Sequence, residues 1–451
     1  MQLAAVSRQY DQILMTHNSQ IAKGGKSFIF AAGFSDSAVW ADIAAPLYFA
    51  AYLNSSPRDQ RGAWETEARI FAAFMSPSTE VRRSRKAAAR IAILEIHIPK
   101  NAMNIALFLP NWIGDVVMAT PTLRALRKRF PDAHFTGVMR PYVADVLAGT
   151  SWLNERLFYK PGAKDPDLRA WALVRKLRER KIDAVVMFTN SLSTGLLSWM
   201  SGAKDRIGYV RYGRGPLLTT KLYHPRKGRG WLPTPGIDAY LQLAYAMGCN
   251  WESPGMEVAT TEQDERAADA IWNKFGLPSG DQVVVLNSGG AFGAAKLWPT
   301  EYFGELAGKL ARERGLAVLV NCGPSEKVIA AEIAKVANHS RVVSLADEDV
   351  PIGLTKACIR RSRLLVTTDS GPRFFGVAFG IPTVSLFGPT HIAWSRTHAH
   401  HEICLAKPIP CGPCMERVCP LGHHRCMRDL TVNEVLVAVD RQLAASHRAA
   451  A

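Results

Sequence analysis

From residue 104 onward the apolar positions fall into a repeating pattern. Short β-branched or aliphatic runs alternate with longer stretches in which apolar residues recur every three or four positions. Residues 105–109 read as a buried strand. Residues 114–130 read as a helix, with Val116, Val117, Leu123 and Leu126 at helical spacing. Its basic end, Arg127, Lys128 and Arg129, suits a helix C-terminus. Pro121 inside it predicts a kink or a restart. Strands are expected at 133–139 and 184–188, with a basic amphipathic helix at 168–180 between them. Such a rhythm predicts a parallel sheet covered on both faces. It stops between Gly208 and Gly236, where Gly, Pro, Arg and Lys dominate; this stretch reads as a long loop over an active-site mouth. A helix is expected at 237–247 and an interdomain linker near 250–255.

A second series then repeats the first. Strands are predicted at 283–286, 317–321, 342–345, 364–368 and 383–387, with helices near 263–275, 301–313, 325–337, 351–361 and 371–379 and a last helix at 434–446. The fold class is therefore α/β: two doubly wound, Rossmann-like halves facing each other across a cleft, with ligands at the C-terminal ends of the strands. The expected division is an N-terminal extension at 1–102, a first half at 103–255, a second half at 256–435 that includes a Cys-rich loop at 404–428, and a terminal helix and tail at 436–451. Residues 1–102 differ from the rest: they are rich in Ala and Ser, weakly periodic, and carry a basic tract at 81–90. Met103 opens a stretch that reads like a natural start. We read residues 1–102 as an appended segment, the alternative being a small helical extension that touches a membrane through its basic tract.

At 48% hydrophobic and 21% charged, the 451 residues have an ordinary globular composition. The formal net charge of +16 points to anionic partners: phosphorylated small molecules, nucleic acid or an acidic membrane surface. The basic residues are widely spread, which argues against nucleic acid. No long uncharged apolar run is present, since the nearest candidate, 28–53, carries Asp36 and Asp42, so no membrane span is expected. No secretion signal is expected either. All eight cysteines lie after residue 248, and four fall within 411–426, a clustering that argues against a general disulfide framework.

Four strand ends carry candidate chemistry. The most informative is 283–299, a β-branched run entering a turn with Gly289, Gly290 and Gly293, followed by Lys296. Glycines allow a sharp bend and close approach to a ligand, Thr300 is placed to cap the following helix, and Lys296 adds charge, so this turn reads as an anion site. The alternative is a connecting turn with a solvated lysine. Asp115, after the first strand, is either a helix-terminus charge or a general base facing the cleft. Glu326 is either a first-turn helix acid or a partner for ribose hydroxyls. Asp369, Ser370 and Gly371 open a helix whose N–H groups can cradle a phosphate; the plainer reading is an Asp cap with a Gly turn. Three such ends in one half would converge on a single crevice, and the ligand expected there is a nucleotide diphosphate.

These residues also carry a resemblance. Residues 111–115, Asn287 with 296–299, 323–326, and 369–372 with 387–390 occur in the order found in the ADP-heptose:lipopolysaccharide heptosyltransferases of glycosyltransferase family 9, which the chain resembles from about Met103 to its last helix. The likeness is strongest to the heptosyltransferase II type. It implies an inverting, metal-independent GT-B enzyme that needs no cofactor, with the acceptor site in the first half and the ADP-sugar site in the second. It assigns Asp115 as catalytic base, Lys296 as the charge that offsets departing ADP, and Glu326 as the acid near ribose and adenine. Asn287, Asp369, Ser370 and Gly371 fall on the donor side, and Asn111, Asn190 and Ser191 on the acceptor side. The implied partners are ADP-heptose, the lipopolysaccharide inner core and the cytoplasmic face of the inner membrane, where contact would be peripheral. One departure stands out: Phe374 occupies the place of the histidine usual in the family, which means either a donor pocket repacked around an aromatic or reduced activity. Cys411, Cys414, Cys419 and Cys426, with His423 and His424 among them, have spacing suited to structural zinc or iron–sulfur, and otherwise form a reduced loop. Two other functions remain open: a non-catalytic nucleotide-sugar-binding protein and a transferase using another nucleotide sugar. A dinucleotide oxidoreductase is disfavoured, because neither half begins with a strand, GxGxxG and helix.

Overall fold

The computed structural model describes residues 103–450 apart from 228, 229 and 291, so the expectations for residues 1–102 lie outside the described residues. In the first half, strands β1 (Asn104–Phe108), β2 (His134–Met139), β3 (Glu155–Phe158), β4 (Ala184–Met187), β5 (Asp205–Tyr209) and β6 (Thr220–Leu222) form one sheet in the order β3-β2-β1-β4-β5-β6. Every neighbouring pair is parallel. A short antiparallel ribbon, β7 (Arg226–Lys227) with β8 (Gly230–Trp231), follows it. The second half repeats the topology with β9 (Val283–Asn287), β10 (Ala317–Asn321), β11 (Val342–Ser344), β12 (Leu364–Thr368), β13 (Thr383–Phe387) and β14 (Glu402–Ala406), ordered β11-β10-β9-β12-β13-β14. The two sheets are the facing Rossmann-like pair expected from the sequence.

Local chemistry explains the elements. The central strands β4, β9, β10, β12 and β13 are buried along their whole length, as parallel strands covered on both faces must be. Among the first-half helices are α1 (Ile113–Met118), α2 (Thr120–Arg129), α3 (Ala170–Glu179), α4 (Leu192–Met200) and α5 (Gly236–Ala246). Pro121 does restart the predicted helix: α1 ends at Ala119, and the proline sits in the first turn of α2, where its missing N–H is harmless. In the second half, α6 (Glu262–Phe275) starts at a reciprocal Thr261–Asp264 capping box and ends at left-handed Gly276. It is followed by α7 (Thr300–Arg314), α8 (Lys327–Ala337), α9 (Ile352–Arg361) and α10 (Gly371–Ala378). A single turn, α11 (Arg425–Arg428), precedes the long α12 (Val432–Ala450).

Three expectations are corrected. The stretch 208–236 is not all loop, because β6 and the ribbon lie within it. Strands β3, β6 and β14 lie at sheet edges, and β5 opens with Asp205 and Arg206, so all four escape the pattern. Thr300 does not cap α7: Pro299 occupies the cap position with extended backbone, and Thr300 is already the first helical residue. No helix among the described residues is long and apolar enough to cross a membrane.

The linker is held from both sides. Glu252 accepts hydrogen bonds from Arg124 (3.1 Å) and pairs with Lys128 (2.7 Å), both on α2. Lys356, wholly buried on α9, donates to the Ala259 carbonyl, just after the linker, at 2.7 Å and to the Ala148 carbonyl at 3.3 Å, tying the second half to the first. The halves also meet where α1 packs on α10. There is no room for side chains at that seam: a Cβ on Gly114 would fall 2.5 Å from the Phe374 ring, and one on Gly371 would fall 2.9 Å from Ile113.

Candidate active site

In each sheet the strand order reverses at the centre, between β1 and β4 and between β9 and β12, and the crevice outside those strand ends is where such sheets bind ligands. The residues singled out from sequence collect there. Asn111 and Asp115 follow β1, and Asn190 and Ser191 follow β4. Asn287 ends β9 and leads to Lys296, while Asp369 and Ser370 follow β12, with Gly371 opening α10. Glu326 follows β10, one strand away.

Asp115 lies in the first turn of α1, on the wall of a cavity of about 520 Å³ that is also lined by Asn111, Trp112, Asn190, Ser191, Tyr212 and Tyr240. Burial pushes its carboxyl up from 3.8 to about 6. The Tyr240 hydroxyl, donating to Oδ1 at 3.2 Å, opposes that shift. Asp369 raises the value further and Lys296 lowers it, so charges of the second half act on the carboxylate of the first. A carboxylate titrating near 6 is a base matched to neutral pH.

The acceptor-side candidates are engaged locally. Asn111 accepts from Arg140 Nε at 3.2 Å through its side chain, and its carbonyl takes the Tyr142 hydroxyl. Ser191 caps α4 by accepting the Thr194 N–H at 3.2 Å. Asn190 accepts from Arg214 at 2.9 Å. Sequence reasoning missed Arg214, which is wholly buried and also donates to the carbonyls of Tyr209 and Thr189. Burial, then Arg211, lowers its guanidinium to about 10. It was legible only as one of many arginines in the basic stretch. Tyr240 was missed too, because the helix expected at 237–247 carries no motif that marks it. The Thr189 hydroxyl, in the cavity wall, is buried without a hydrogen-bond partner.

On the other side of the crevice is a chain of paired charges. Lys296 donates to the Asp369 carbonyl (2.7 Å) and to its carboxylate (2.8 Å). Asp369 also accepts from Thr390 at 2.7 Å and from Arg373 at 3.2 Å. Arg373, wholly buried, continues to Glu402, which Ser385 and Thr397 also bind. Burial alone would raise the Asp369 carboxyl, but Lys296 and Arg373 hold it low, so it stays ionised. An ammonium has three N–H groups and Asp369 takes two of those on Lys296, leaving one for a ligand. Asn287 donates to Ser370 at 3.2 Å and accepts from Asn321 at 2.9 Å, which fixes the turn after β12. Ser370 precedes α10 without capping it, so the first-turn N–H groups of α10 have no side-chain partner from it. Glu326 accepts the Gly323 N–H at 2.7 Å and lies against Gly289, where a Cβ would collide with its carboxylate.

The Cys-rich loop supports the Lys296 turn. The Arg417 carbonyl accepts the Ala295 N–H at 3.0 Å and lies 2.4 Å from where a Cβ on Gly293 would be, and Gly293 has φ +152°. The four cysteines are not assembled as metal ligands: among the described residues no three His, Cys, Asp or Glu side chains are placed to hold one ion. Cys411 Sγ lies 3.8 Å from His423 Nε2, and the Cys419 thiol is lowered by backbone N–H groups, first that of His424. Burial, then Cys414, Cys419 and Cys411, raises the Cys426 thiol, so the four cysteines share one region of the loop. Phe374 is buried against Gly114, with the Arg373 guanidinium 4.9 Å from its ring centre, so it fills the seam beside Asp115.

Known proteins share the family and the fold of this chain. The model of glycosyltransferase family 9 (heptosyltransferase) matches residues 170–425. Lipooligosaccharide heptosyltransferase 2 of Campylobacter jejuni is 25% identical over 356 residues, covering 76% of this chain and all of that protein. Lipopolysaccharide heptosyltransferase 2 of Escherichia coli is 24% identical over 353 residues, 74% of this chain and 97% of its own length. In fold, the chain is similar to the solved E. coli ADP-heptose LPS heptosyltransferase II, with a TM-score of 0.62 at 22% identity over 76% of this chain and 100% of that one. It is also similar to a family 9 glycosyl transferase from Veillonella parvula, with a TM-score of 0.64 at 23% identity over 76% and 97%.

Proposed function

The chain belongs to glycosyltransferase family 9, the heptosyltransferases, and from that membership we propose that it moves heptose from ADP-L-glycero-β-D-manno-heptose to the lipopolysaccharide inner core in the manner of heptosyltransferase II. The relatives named lipooligosaccharide and lipopolysaccharide heptosyltransferase 2 support heptose transfer to that class of acceptor. The observation that carries the mechanism is the placement of Asp115, poised near pH 6, across the crevice from Lys296 and Asp369.

In this reading the acceptor lies in the first-half cavity and gives its hydroxyl proton to Asp115. The acceptor oxygen attacks the anomeric carbon from the face opposite the diphosphate, the carbon–oxygen bond to ADP breaks with its electron pair leaving on the phosphate, and the configuration inverts. The free N–H of Lys296 and the first-turn N–H groups of α10 offset the charge that develops on ADP, as preorganised donors do without reorganising. Asn287 holds that turn in place, and Glu326 faces the ribose. Asn111, Asn190, Ser191 and the unpartnered Thr189 hydroxyl bind the acceptor. Because that acceptor is lipid-linked, the enzyme works as a peripheral protein at the cytoplasmic face of the inner membrane.

Asp115→Asn tests the base. We expect kcat to fall about 10³-fold while ADP still binds by calorimetry, and the wild-type kcat/KM to rise with pH through about 6. NMR of the anomeric configuration reads inversion directly, and unimpaired turnover by the variant would remove Asp115 from this role. Phe374 favours a second reading, a nucleotide-sugar-binding protein without catalysis. ADP release that depends on acceptor decides against it, and a thermal-shift panel of ADP-, UDP- and GDP-sugars decides the donor.

A further inference from the structure

The charge of the chain is divided unevenly. Residues 103–255 hold 22 Lys and Arg against 11 Asp and Glu, a net +11, whereas residues 256–451 hold 21 against 20. The basic half also exposes large apolar side chains, and helix α4 concentrates them. Its sequence, LSTGLLSWM, turns Leu192, Leu196 and Trp199 outward, at 45%, 41% and 57% exposure. Positions i, i+4 and i+7 share one helix face, so the outward face is an apolar stripe. The polar residues Thr194 and Ser198 are instead buried, their hydroxyls satisfied by the carbonyls of Ser191 (2.9 Å) and Gly195 (2.7 Å). This is the reverse of what a helix facing water carries.

The surroundings of the stripe are basic at one end and open into the site at the other. Arg178, exposed on α3, donates to the Met200 carbonyl at 2.7 Å, which places a guanidinium at the C-terminal end of α4, and Lys204 is exposed just beyond. At the N-terminal end, Leu192 is part of the wall of the cavity that holds Asp115.

We infer that the α4 face lies on an anionic lipid bilayer, with Leu196 and Trp199 in the headgroup–acyl boundary and the basic side chains of this half among the lipid phosphates. Exposed Leu and Trp combined with Arg and Lys are what an interfacial helix needs: apolar area for insertion and positive charge for anionic lipid. A protein partner could also cover an apolar stripe, but the net +11 of this half and its near absence from the other favour a phosphate-rich surface. The inference rests on the proposed lipid-linked acceptor in one respect: such an acceptor would enter the cavity past Leu192 without leaving the bilayer.

The test is co-sedimentation of the full chain with vesicles of phosphatidylglycerol and phosphatidylethanolamine at 1:3, against vesicles of phosphatidylcholine. No donor or acceptor is present, so its outcome and that of the heptosyl-transfer assay are independent. We expect binding to the anionic vesicles that weakens with salt, and a partition coefficient about a hundredfold lower for the double variant Leu196→Asp with Trp199→Asp. Val437→Asp, at a comparably exposed site on α12, is expected to bind as wild type. The double variant should keep its melting temperature and its turnover of a deacylated, soluble acceptor. Equal binding by wild type and double variant overturns the inference, as does failure of wild type to bind anionic vesicles. Self-association that the double variant abolishes, without vesicle binding, overturns it in favour of a second copy of this chain.

Discussion

The two halves share one strand order and use it in opposite ways. Around the crevice of the second half, four ionised groups form a chain in which each has a charged partner: Lys296 with Asp369, Asp369 with Arg373, and Arg373 with Glu402. Thr390, Ser385 and Thr397 occupy further acceptor positions on the two carboxylates. Across the crevice, Asp115 has one hydroxyl partner, Tyr240, and an open cavity beside it. Paired buried charges keep their places and their ionisation, which suits a small anion bound the same way each time. A carboxylate with few partners in a partly dry place is held near its titration point, which suits proton transfer. The lesson is that the number of partners given to each carboxylate, more than the fold, separates one held ionised from one held near its titration point.

The sharpest way to break this contrast is to remove the one cation of the clamp that faces the crevice. Lys296→Met should lower kcat by 10²–10³, about what loss of a preorganised donor to a developing oxyanion costs, and should weaken ADP binding in calorimetry. It also strips Asp369 of one of the two cations that hold its carboxyl low, leaving Arg373. Retained kcat would mean that the second half binds the donor without stabilising its departure. A smaller effect is expected one turn away. Gly293→Ala puts a methyl 2.4 Å from the Arg417 carbonyl at a backbone angle that L-residues rarely adopt, so the Lys296 turn must shift. Here KM for the donor should rise about tenfold with kcat less affected. An unchanged KM would show that the Cys-rich loop does not position the turn.

The same contrast governs what could be read from the sequence. The second half was legible almost strand for strand, because β9, β10, β12 and β13 are fully buried and therefore written as short runs without charged residues. Its Gly-rich turn with Lys296 stood out because glycines and a lysine follow a strand end. In the first half, β3 and β5 begin with Glu155 and Asp205 at partly exposed positions, so their alternation was diluted. β6, at the sheet edge, is three residues long within a Gly- and Arg-rich stretch. The candidate base was found because Asp115 sits beside a glycine at a strand end. Its partner was not, because Tyr240 lies 125 residues away and only folding brings the two together. The apolar face of α4 was invisible for a related reason: LSTGLLSWM reads as a buried segment until the structure shows which side faces the sheet.

The smallest effect tests how the first half sets its base. Tyr240 lowers the Asp115 carboxyl against the burial that raises it. Tyr240→Phe removes the hydroxyl and keeps the ring, whose centre lies 5.4 Å from that of Phe188. The Asp115 carboxyl should then rise above about 6, and the acid limb of kcat/KM should move to higher pH by about one unit. The sign follows from the base role: a higher value leaves less carboxylate at pH 6, so turnover there should fall about fivefold, while at pH 8, where both forms are ionised, the two enzymes should differ by no more than about twofold. Replacing the hydroxyl at this site with a packing-neutral ring thus separates two accounts of the same residue. A limb that stays in place with kcat unchanged would make Tyr240 a packing residue, and the first half would then tune its proposed base by burial alone.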